Sequence, residues 1–161
     1  MTIITRKIEF DAGHRVLGHE GKCRNLHGHR YVAEIAVSAK DLDSLGRVID
    51  FGVIKDVIGG WIDEYWDHNM ILHPDDPLFK IGEAWDLNGI EVIVGRDPYV
   101  MPGGNPTAEN LARVLHDICC ELLPDYLMVV YVKIWETPNC SATYFGEFEE
   151  FFKAAMVSHD S

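Results

Sequence analysis

Residues 27–37 read His-Gly-His-Arg-Tyr-Val-Ala-Glu-Ile-Ala-Val, and they carry the clearest periodic pattern in the chain. A repeat of two residues is typical of a β-strand with one buried face. The face predicted to be buried holds every second residue, namely His27, His29, Tyr31, Ala33, Ile35 and Val37, and the opposite face holds Arg30, Val32, Glu34 and Ala36. Ile3 to Ala12 predicts a neighbouring strand, and His14 joins its apolar face if that strand continues past Gly13.

The chain after this hairpin changes to helical and irregular patterns. Arg47 to Phe51 predicts a short strand with Asp50 as the N-cap of the next helix, which is predicted over Val53 to Tyr65. Residues 69–105 contain four prolines and form a long excursion with one short predicted strand, Ile90 to Val94.

The last third of the chain predicts a helix, a long strand and a tail. Thr107 is expected to cap a helix ending near Leu123, and Leu127 to Glu136 alternates as a strand. Its buried face is predicted to hold Met128, Val130, Val132, Ile134 and Glu136. Residues 142–156 predict a strand edge and then a short helix. This order of elements favours one α+β domain over residues 1–161, built on an antiparallel sheet whose exposed edge calls for an oligomer.

Composition and charge exclude several classes of protein. With 161 residues, 47% of them hydrophobic, the chain is long enough for one folded core. The net charge of −12 argues against binding to nucleic acid or to an anionic membrane surface. The first 30 residues, with six basic and three acidic side chains, are the exception and suit a small anionic ligand. No apolar run is long enough to span a membrane, and four cysteines without a CxxC pair favour a reducing cytoplasm.

The histidines at the start of the second strand predict a metal site. His27 and His29 are two residues apart on one strand face, and His14 is expected to join them from the neighbouring strand. Three histidines with an open fourth position are typical of catalytic zinc, although nickel, cobalt and iron also accept imidazole ligands. The alternative is that the HxH pair is merely exposed at the surface.

Several other side chains are candidates for proton transfer. Cys23 lies between Lys22 and Arg24, which would lower a thiol pKa, although an unremarkable loop cysteine is equally compatible with the pattern. The pair Asp67-His68 suits a carboxylate that orients an imidazole. Glu136 either contacts a ligand or reaches solvent at the end of its strand.

The remaining cysteines and histidines receive no site role from the sequence. Cys119 and Cys120 are expected to pack in a helix, and Cys140 carries no prediction. The last group is interpreted as ordinary polar residues: His19, His73, His116 and His159.

Taken together and in order, these motifs resemble the 6-pyruvoyl-tetrahydropterin synthase/QueD family. The matching pieces are Phe10-x-Ala-x-His14, Cys23-x-x-x-His27-Gly-His29, Gly46-x-Val-x-Asp50-Phe51-x-x-x-Lys55, Asp67-His68, Pro106-Thr107-x-Glu109-Asn110 and Glu136-Thr137. The resemblance implies a T-fold, in which a four-stranded antiparallel sheet carries two helices on one face. It also implies that three such sheets close into a barrel and that two trimers form a homohexamer with active sites between subunits.

The resemblance also implies roles for individual residues. His14, His27 and His29 match the family's Zn²⁺ ligands, and Cys23 matches its catalytic thiol. Asp67 and His68 match the accompanying proton relay. Glu136 matches the carboxylate that anchors the pterin and, in some relatives, joins the relay, and Thr107 matches a second pterin contact. The basic side chains Arg15, Lys22 and Arg24 are candidates for receiving a triphosphate.

The spacing of three residues between Cys23 and His27 resembles the branch that forms 6-carboxy-5,6,7,8-tetrahydropterin for queuosine. That reaction, a carbon–carbon lyase step, converts 7,8-dihydroneopterin triphosphate and releases acetaldehyde and triphosphate. The alternatives are the pyruvoyl-forming synthase and a zinc- or pterin-binding protein without turnover. The excursion over residues 69–105 is longer than in compact members of the family. Three roles are open to it: to cover the pocket, to change the choice of substrate, or to build the subunit interface.

Overall fold

The computed structural model describes residues 1–78, 85–87, 90–92 and 96–146. In chain order the strands are β1 (Ile3–His14), β2 (His27–Ala39), β3 (Asn69–Leu72), β4 (Trp85–Leu87), β5 (Ile90–Val92), β6 (Tyr99–Val100), β7 (Leu127–Thr137) and β8 (Cys140–Phe145). The helices are α1 (Phe51–Ile54), α2 (Gly60–Tyr65) and α3 (Ala108–Leu122), with a π-helical turn over Lys55–Gly59 that joins α1 to α2 and a 3₁₀ turn over Lys22–Arg24.

Four strands form the antiparallel part of the main sheet, in the order β1-β2-β7-β8. β1 and β2 pair over their whole length, from Ile3 opposite Ser38 to His14 opposite His27. This pairing brings the end of β1 and the start of β2, with all three histidines, to the same edge of the sheet.

The prediction of a four-stranded, wholly antiparallel sheet is wrong, because the sheet has six strands of mixed direction. β3 pairs in parallel with β1, and β6 pairs in parallel with β3, which extends the order to β6-β3-β1-β2-β7-β8. β3 thus covers the edge of β1 at Ala12 to His14, and β6 then covers the outer edge of β3. β4 and β5 form a separate two-stranded sheet, which confirms the predicted strand over Ile90 to Val92, whereas residues 93–94 lie outside the described ranges.

The predicted strand at Arg47 to Phe51 is also wrong, because residues 47–50 pair with no strand, bend at Val48 and Ile49, and lead into the helix that begins at Phe51. Asp43 prevents an extended conformation there by accepting the backbone N–H groups of Leu45 and Arg47, both at 2.9 Å. The predicted cap at Asp50 is confirmed by its hydrogen bond from the Gly52 N–H at 2.7 Å.

The helices cover one face of the sheet and enclose the core. Their fully buried side chains include Ile54, Ile58, Ile62, Leu111 and Leu115, and these pack with Tyr31, Ile35 and Ile134 of the sheet. The opposite face of the sheet is polar, with Lys7, Glu34 and Tyr131 in one cluster of ion pairs and hydrogen bonds.

A β-bulge changes the predicted alternation of β7. The register with β2 shifts between Ala36 and Val37, so that Val129 pairs with Val37 and joins the core. The predicted inward positions Met128 and Val130 therefore lie outside the main core cluster, whereas Val132 and Ile134 are fully buried as expected.

An ion pair fastens the start of the excursion to the end of β1. Arg15 donates to the carboxylate of Asp76 through Nε at 2.7 Å and through a terminal nitrogen at 2.5 Å. The Asp76 side chain is fully buried, whereas that of Arg15 is 20% exposed. The predicted tail helix beyond residue 146 lies outside the described residues, and no described helix is long and apolar enough to cross a membrane.

Candidate active site

Three histidines converge at the paired ends of β1 and β2. His14 ends β1 opposite His27, which begins β2, and His29 follows on the same face. The Nε2 atoms of His14 and His27 are 3.1 Å apart, and the ligand atoms of all three rings lie within 4.8 Å of one another. The structure therefore brings together the three residues that the sequence predicted as a metal site.

Hydrogen bonds to the backbone set the tautomers of two of these rings. Nδ1 of His14 lies 2.7 Å from the carbonyl oxygen of Pro106, and Nδ1 of His27 lies 2.7 Å from that of Asn25. A carbonyl oxygen only accepts, so the proton of each neutral ring is on Nδ1 and the Nε2 lone pair is free. This is the outer hydrogen bonding that metal-ligating histidines commonly make.

The donor set fits a metal cation. Two unprotonated Nε2 atoms at 3.1 Å repel each other unless a cation lies between them, and Nε2 of His29 is buried without a hydrogen-bond partner among the described residues. A tetrahedral Zn²⁺ about 2.1 Å from each nitrogen would place such atoms about 3.4 Å apart. Burial lowers the pKa of His14 and of His29, which keeps both rings neutral and able to ligate near neutral pH.

Glu136 lies beside the histidines. Its Oε1 is 3.4 Å from Nε2 of His14 and 3.7 Å from Nε2 of His29. The β7–β8 register shifts between Trp135 and Thr137, which leaves Glu136 without a partner on β8. The structure thus places the carboxylate at the site, although the strand-end pattern alone was also compatible with solvent. Burial and this carboxylate raise the pKa of Tyr31, whose buried hydroxyl has no hydrogen-bond partner among the described residues.

Cys23 lies with Glu136 in a cavity of about 250 Å³. It belongs to the 3₁₀ turn over Lys22–Arg24 and is exposed. His14 and Thr107 also line this cavity, and Thr107 caps α3 by accepting the Asn110 N–H at 3.4 Å. One chain thus brings together Cys23, Thr107 and Glu136 next to the histidines.

Sequence reasoning missed other residues of the same cavity, which are His19, Glu109 and Cys140. Glu109 lay within a family motif but carried no assigned role. Cys140 begins the last strand, where no spacing connects it with Cys23. His19 precedes Cys23 by four residues in a polar loop, and that short separation was the one available signal.

Asp67 and His68 lie in a different place. Asp67 accepts the backbone N–H of Asp11 at 2.8 Å through Oδ1, and its Oδ2 lies 2.6 Å from Nδ1 of His68. The imidazole is therefore oriented by the carboxylate, as predicted. The His68 side chain is 77% exposed, and its backbone adopts a φ of 52°.

His68 lines an open cavity of about 990 Å³ together with His27, His29 and Arg30. Among the described residues, this cavity and the one around Cys23 share no lining residue. A single chain therefore presents two groups of candidate residues, one in a cavity lined by His14 and the other in a cavity lined by His27 and His29.

Arg15, one of the basic candidates for phosphate binding, is engaged in the ion pair with Asp76. Its Nε and one of its terminal nitrogens both donate hydrogen bonds to the Asp76 carboxylate. The other two basic side chains of this loop, Lys22 and Arg24, are less buried and remain available to an anion.

Comparison with known proteins gives a consistent result. A family model described as 6-pyruvoyl tetrahydropterin synthase matches residues 3–147. The chain is 48% identical over 141 residues to the 6-carboxy-5,6,7,8-tetrahydropterin synthase of Rickettsia bellii, and the match covers 84% of this chain and 94% of that protein. It is 30% identical over 161 residues to the protein of the same name from Aquifex aeolicus, covering 88% of this chain and 96% of that one.

Solved structures agree at the level of the fold. An uncharacterized protein of Wolinella succinogenes matches with a TM-score of 0.71 at 26% identity, covering 91% of this chain and 98% of that chain. The 6-pyruvoyl tetrahydropterin synthase of Caenorhabditis elegans matches with a TM-score of 0.63 at 24% identity, with the same coverage, and there the likeness concerns the fold alone. The family match over most of the chain, together with relatives of this identity, shows that the chain belongs to the 6-pyruvoyl tetrahydropterin synthase family.

Proposed function

We propose that this protein is a 6-carboxy-5,6,7,8-tetrahydropterin synthase that acts on 7,8-dihydroneopterin triphosphate and releases acetaldehyde and triphosphate. The observation that carries the proposal is the meeting of three convergent histidines with Cys23 and Glu136 at one edge of the sheet. The Rickettsia and Aquifex relatives bear this name, and the spacing between Cys23 and His27 resembles that of the same branch.

We assign Zn²⁺ to His14, His27 and His29, because three neutral imidazoles with an open fourth position suit catalytic zinc. When bound there, the ion would act as a Lewis acid that polarises oxygens of the substrate side chain. The chain's contribution is to hold the rings in place through the Pro106 and Asn25 carbonyl groups.

The residues of the Cys23 cavity divide between binding and proton transfer. Glu136 would accept hydrogen bonds from the guanidine-like edge of the pterin, and Thr107 would add a second contact. The Cys23 thiolate would remove a proton from the substrate side chain, and the exposed cationic residues Lys22 and Arg24 flank it in the chain. His68, held by Asp67, would move a proton at the opposite side of the substrate.

A substrate that contacts both Cys23 and His68 requires a second copy of the chain. Cys23 and His68 line separate cavities, so one substrate would contact both only where two chains meet. We therefore propose a homo-oligomer with the site between subunits, a hexamer of two trimers by resemblance to the family. A mixture of two inactive variants, Cys23→Ala and His68→Ala, tests it. Mixed oligomers should regain part of the activity, and a mixture that stays inactive after subunit exchange would show that each chain works alone.

The experiment that tests the reaction is a product assay on the purified protein with zinc. We expect a carboxylated tetrahydropterin by mass spectrometry and acetaldehyde in a coupled assay. A product that retains the side-chain carbons, without acetaldehyde, would indicate the pyruvoyl-forming reaction instead. Cys23→Ala should abolish turnover and retain zinc, whereas the matched control Cys120→Ala, near the C-terminal end of α3, should remain active. The four free cysteines are compatible with our further proposal of a cytoplasmic location.

A further inference from the structure

His19 occupies the same cavity as Cys23, although it carries no established role. The loop from β1 to the 3₁₀ turn is closed by hydrogen bonds from the Val16 N–H to the Cys23 carbonyl oxygen at 2.8 Å and from the His19 N–H to the Val16 carbonyl oxygen at 3.2 Å. These contacts hold His19 and Cys23 in one compact loop. Both side chains line the cavity that also contains Thr107 and Glu136.

The backbone fixes the tautomer of His19. The Gly21 N–H donates to Nδ1 at 2.8 Å, so Nδ1 is the acceptor and carries no proton. The neutral ring must then carry its proton on Nε2, which makes that atom a hydrogen-bond donor. A Cβ atom at residue 21 would lie 3.0 Å from the ring carbon Cε1, so the glycine also permits the close packing that orients the ring.

The residues that the structure describes contain no acceptor for this donor. Among the described residues, the only hydrogen bond of the His19 side chain is the one that Nδ1 accepts from Gly21. His19 thus lines the cavity with Nδ1 held by the backbone, and its second ring nitrogen can donate to a bound ligand. The ligand atom that such a donor recognises is an oxygen.

We propose, on the basis of the proposed function, that His19 is a substrate-contacting residue. Its Nε2–H donates to an oxygen of the substrate side chain close to Cys23, either a hydroxyl group or the first phosphate. The contact fixes the side chain against the thiol while Glu136 and Thr107 hold the ring system.

Two substitutions separate this contact from a role in folding the loop. In His19→Asn, Oδ1 can still accept the Gly21 N–H, because asparagine forms such turns with the residue two positions on, but the Nε2 donor is lost. In His19→Gln, the amide nitrogen lies near the former Nε2 position and the Nδ1 acceptor is lost. We expect His19→Asn to weaken substrate binding about tenfold, with unchanged melting temperature and zinc content. His19→Gln should bind better than His19→Asn.

Binding is measured by fluorescence titration with two ligands, 7,8-dihydroneopterin and its triphosphate. Equal weakening of both identifies a hydroxyl as the acceptor, and weakening of the triphosphate alone identifies a phosphate. Wild-type binding of both ligands by His19→Asn would overturn the inference and leave the proposed function standing. Wild-type protein that binds the triphosphate without turnover would overturn the proposed reaction, and the titrations would still decide the role of His19. Absence of binding by the wild type would overturn both.

Discussion

Replacing Asp76 by Asn should destabilise the protein by about 3 kcal/mol. The carboxylate is fully buried and accepts three hydrogen bonds, two from Arg15 and one from the Leu78 N–H at 2.9 Å. Asparagine keeps the shape but turns an NH₂ group or a neutral oxygen toward a guanidinium that is itself only 20% exposed. Removing one partner of such a pair leaves a poorly compensated charge, which typically costs about 3–5 kcal/mol, and the partial exposure of Arg15 places the expectation at the lower end.

The assay is thermal and urea unfolding of the substituted protein against a matched control. For a chain of this size, about 3 kcal/mol corresponds to a fall in melting temperature of about 6–12 °C. Asp75 provides the control, because its side chain is 88% exposed and its one ionic neighbour among the described residues, His73, lies 3.9 Å away. Asp75→Asn should change stability by no more than about 0.5 kcal/mol. Equal stability of the two variants would refute the reasoning.

The same ion pair predicts a dependence on pH. Burial raises the pKa of Asp76, but the hydrogen bonds from Arg15 and from the Leu78 N–H outweigh it and hold the pKa below its usual value. A lowered folded pKa contributes stability above the unfolded value, about 3.9, and this stability is lost as the pH falls through the folded pKa. The difference between wild type and Asp76→Asn should therefore be constant from about pH 5 to 8 and shrink below about pH 4. A constant difference down to pH 2 would contradict this origin.

Three further predictions concern single positions. Thr107→Ala should cost about 1 kcal/mol in urea unfolding, since the hydroxyl accepts the Asn110 N–H at the start of α3, and Thr107→Ser should cost much less. Gly28→Ala should weaken zinc binding in a chelator titration. The new Cβ would lie 3.1 Å from the carbonyl oxygen of Ala12, so the two strands that carry the histidines must move apart. Unchanged zinc affinity would show that this displacement does not affect the histidines. Burial raises the pKa of the Cys119 thiol, so alkylation at pH 8 followed by mass spectrometry should find this cysteine modified last.

The long strands were predictable because helices cover one face of the sheet. Alternation then reports burial directly, and β2 shows the predicted face buried from Tyr31 to Val37. The bulge at Ala36 and Val37 could not be predicted, since an extra residue leaves no mark in composition. The wrong strand prediction at Arg47 to Phe51 has a clear cause. Val48 and Ile49 are buried, as expected for β-branched apolar residues, but they lie in a bend. A buried residue need not belong to a strand.

The parallel additions at the β1 edge lay beyond sequence reasoning for another reason. β3 and β6 have four and two residues, too few for a periodic pattern, and their pairing depends on where the excursion returns. The metal site was predictable because its histidines share strand faces with period two. The separation of Cys23 from His68 was not, since it depends on how the β1–β2 loop and the turn before β3 fold near the end of β1.

Because of the positive φ of His68, the side chain that best stabilises the fold at this position differs from the side chain proposed to act in catalysis. At a φ of 52°, a side chain with a Cβ is disfavoured by about 1 kcal/mol relative to glycine. A library screened for thermal stability alone should therefore enrich glycine or asparagine at this position and discard the imidazole. A library screened for turnover should restore histidine and accept the lower melting temperature. The two screens would diverge at this residue before they diverge in the core, where stability and function require the same side chains.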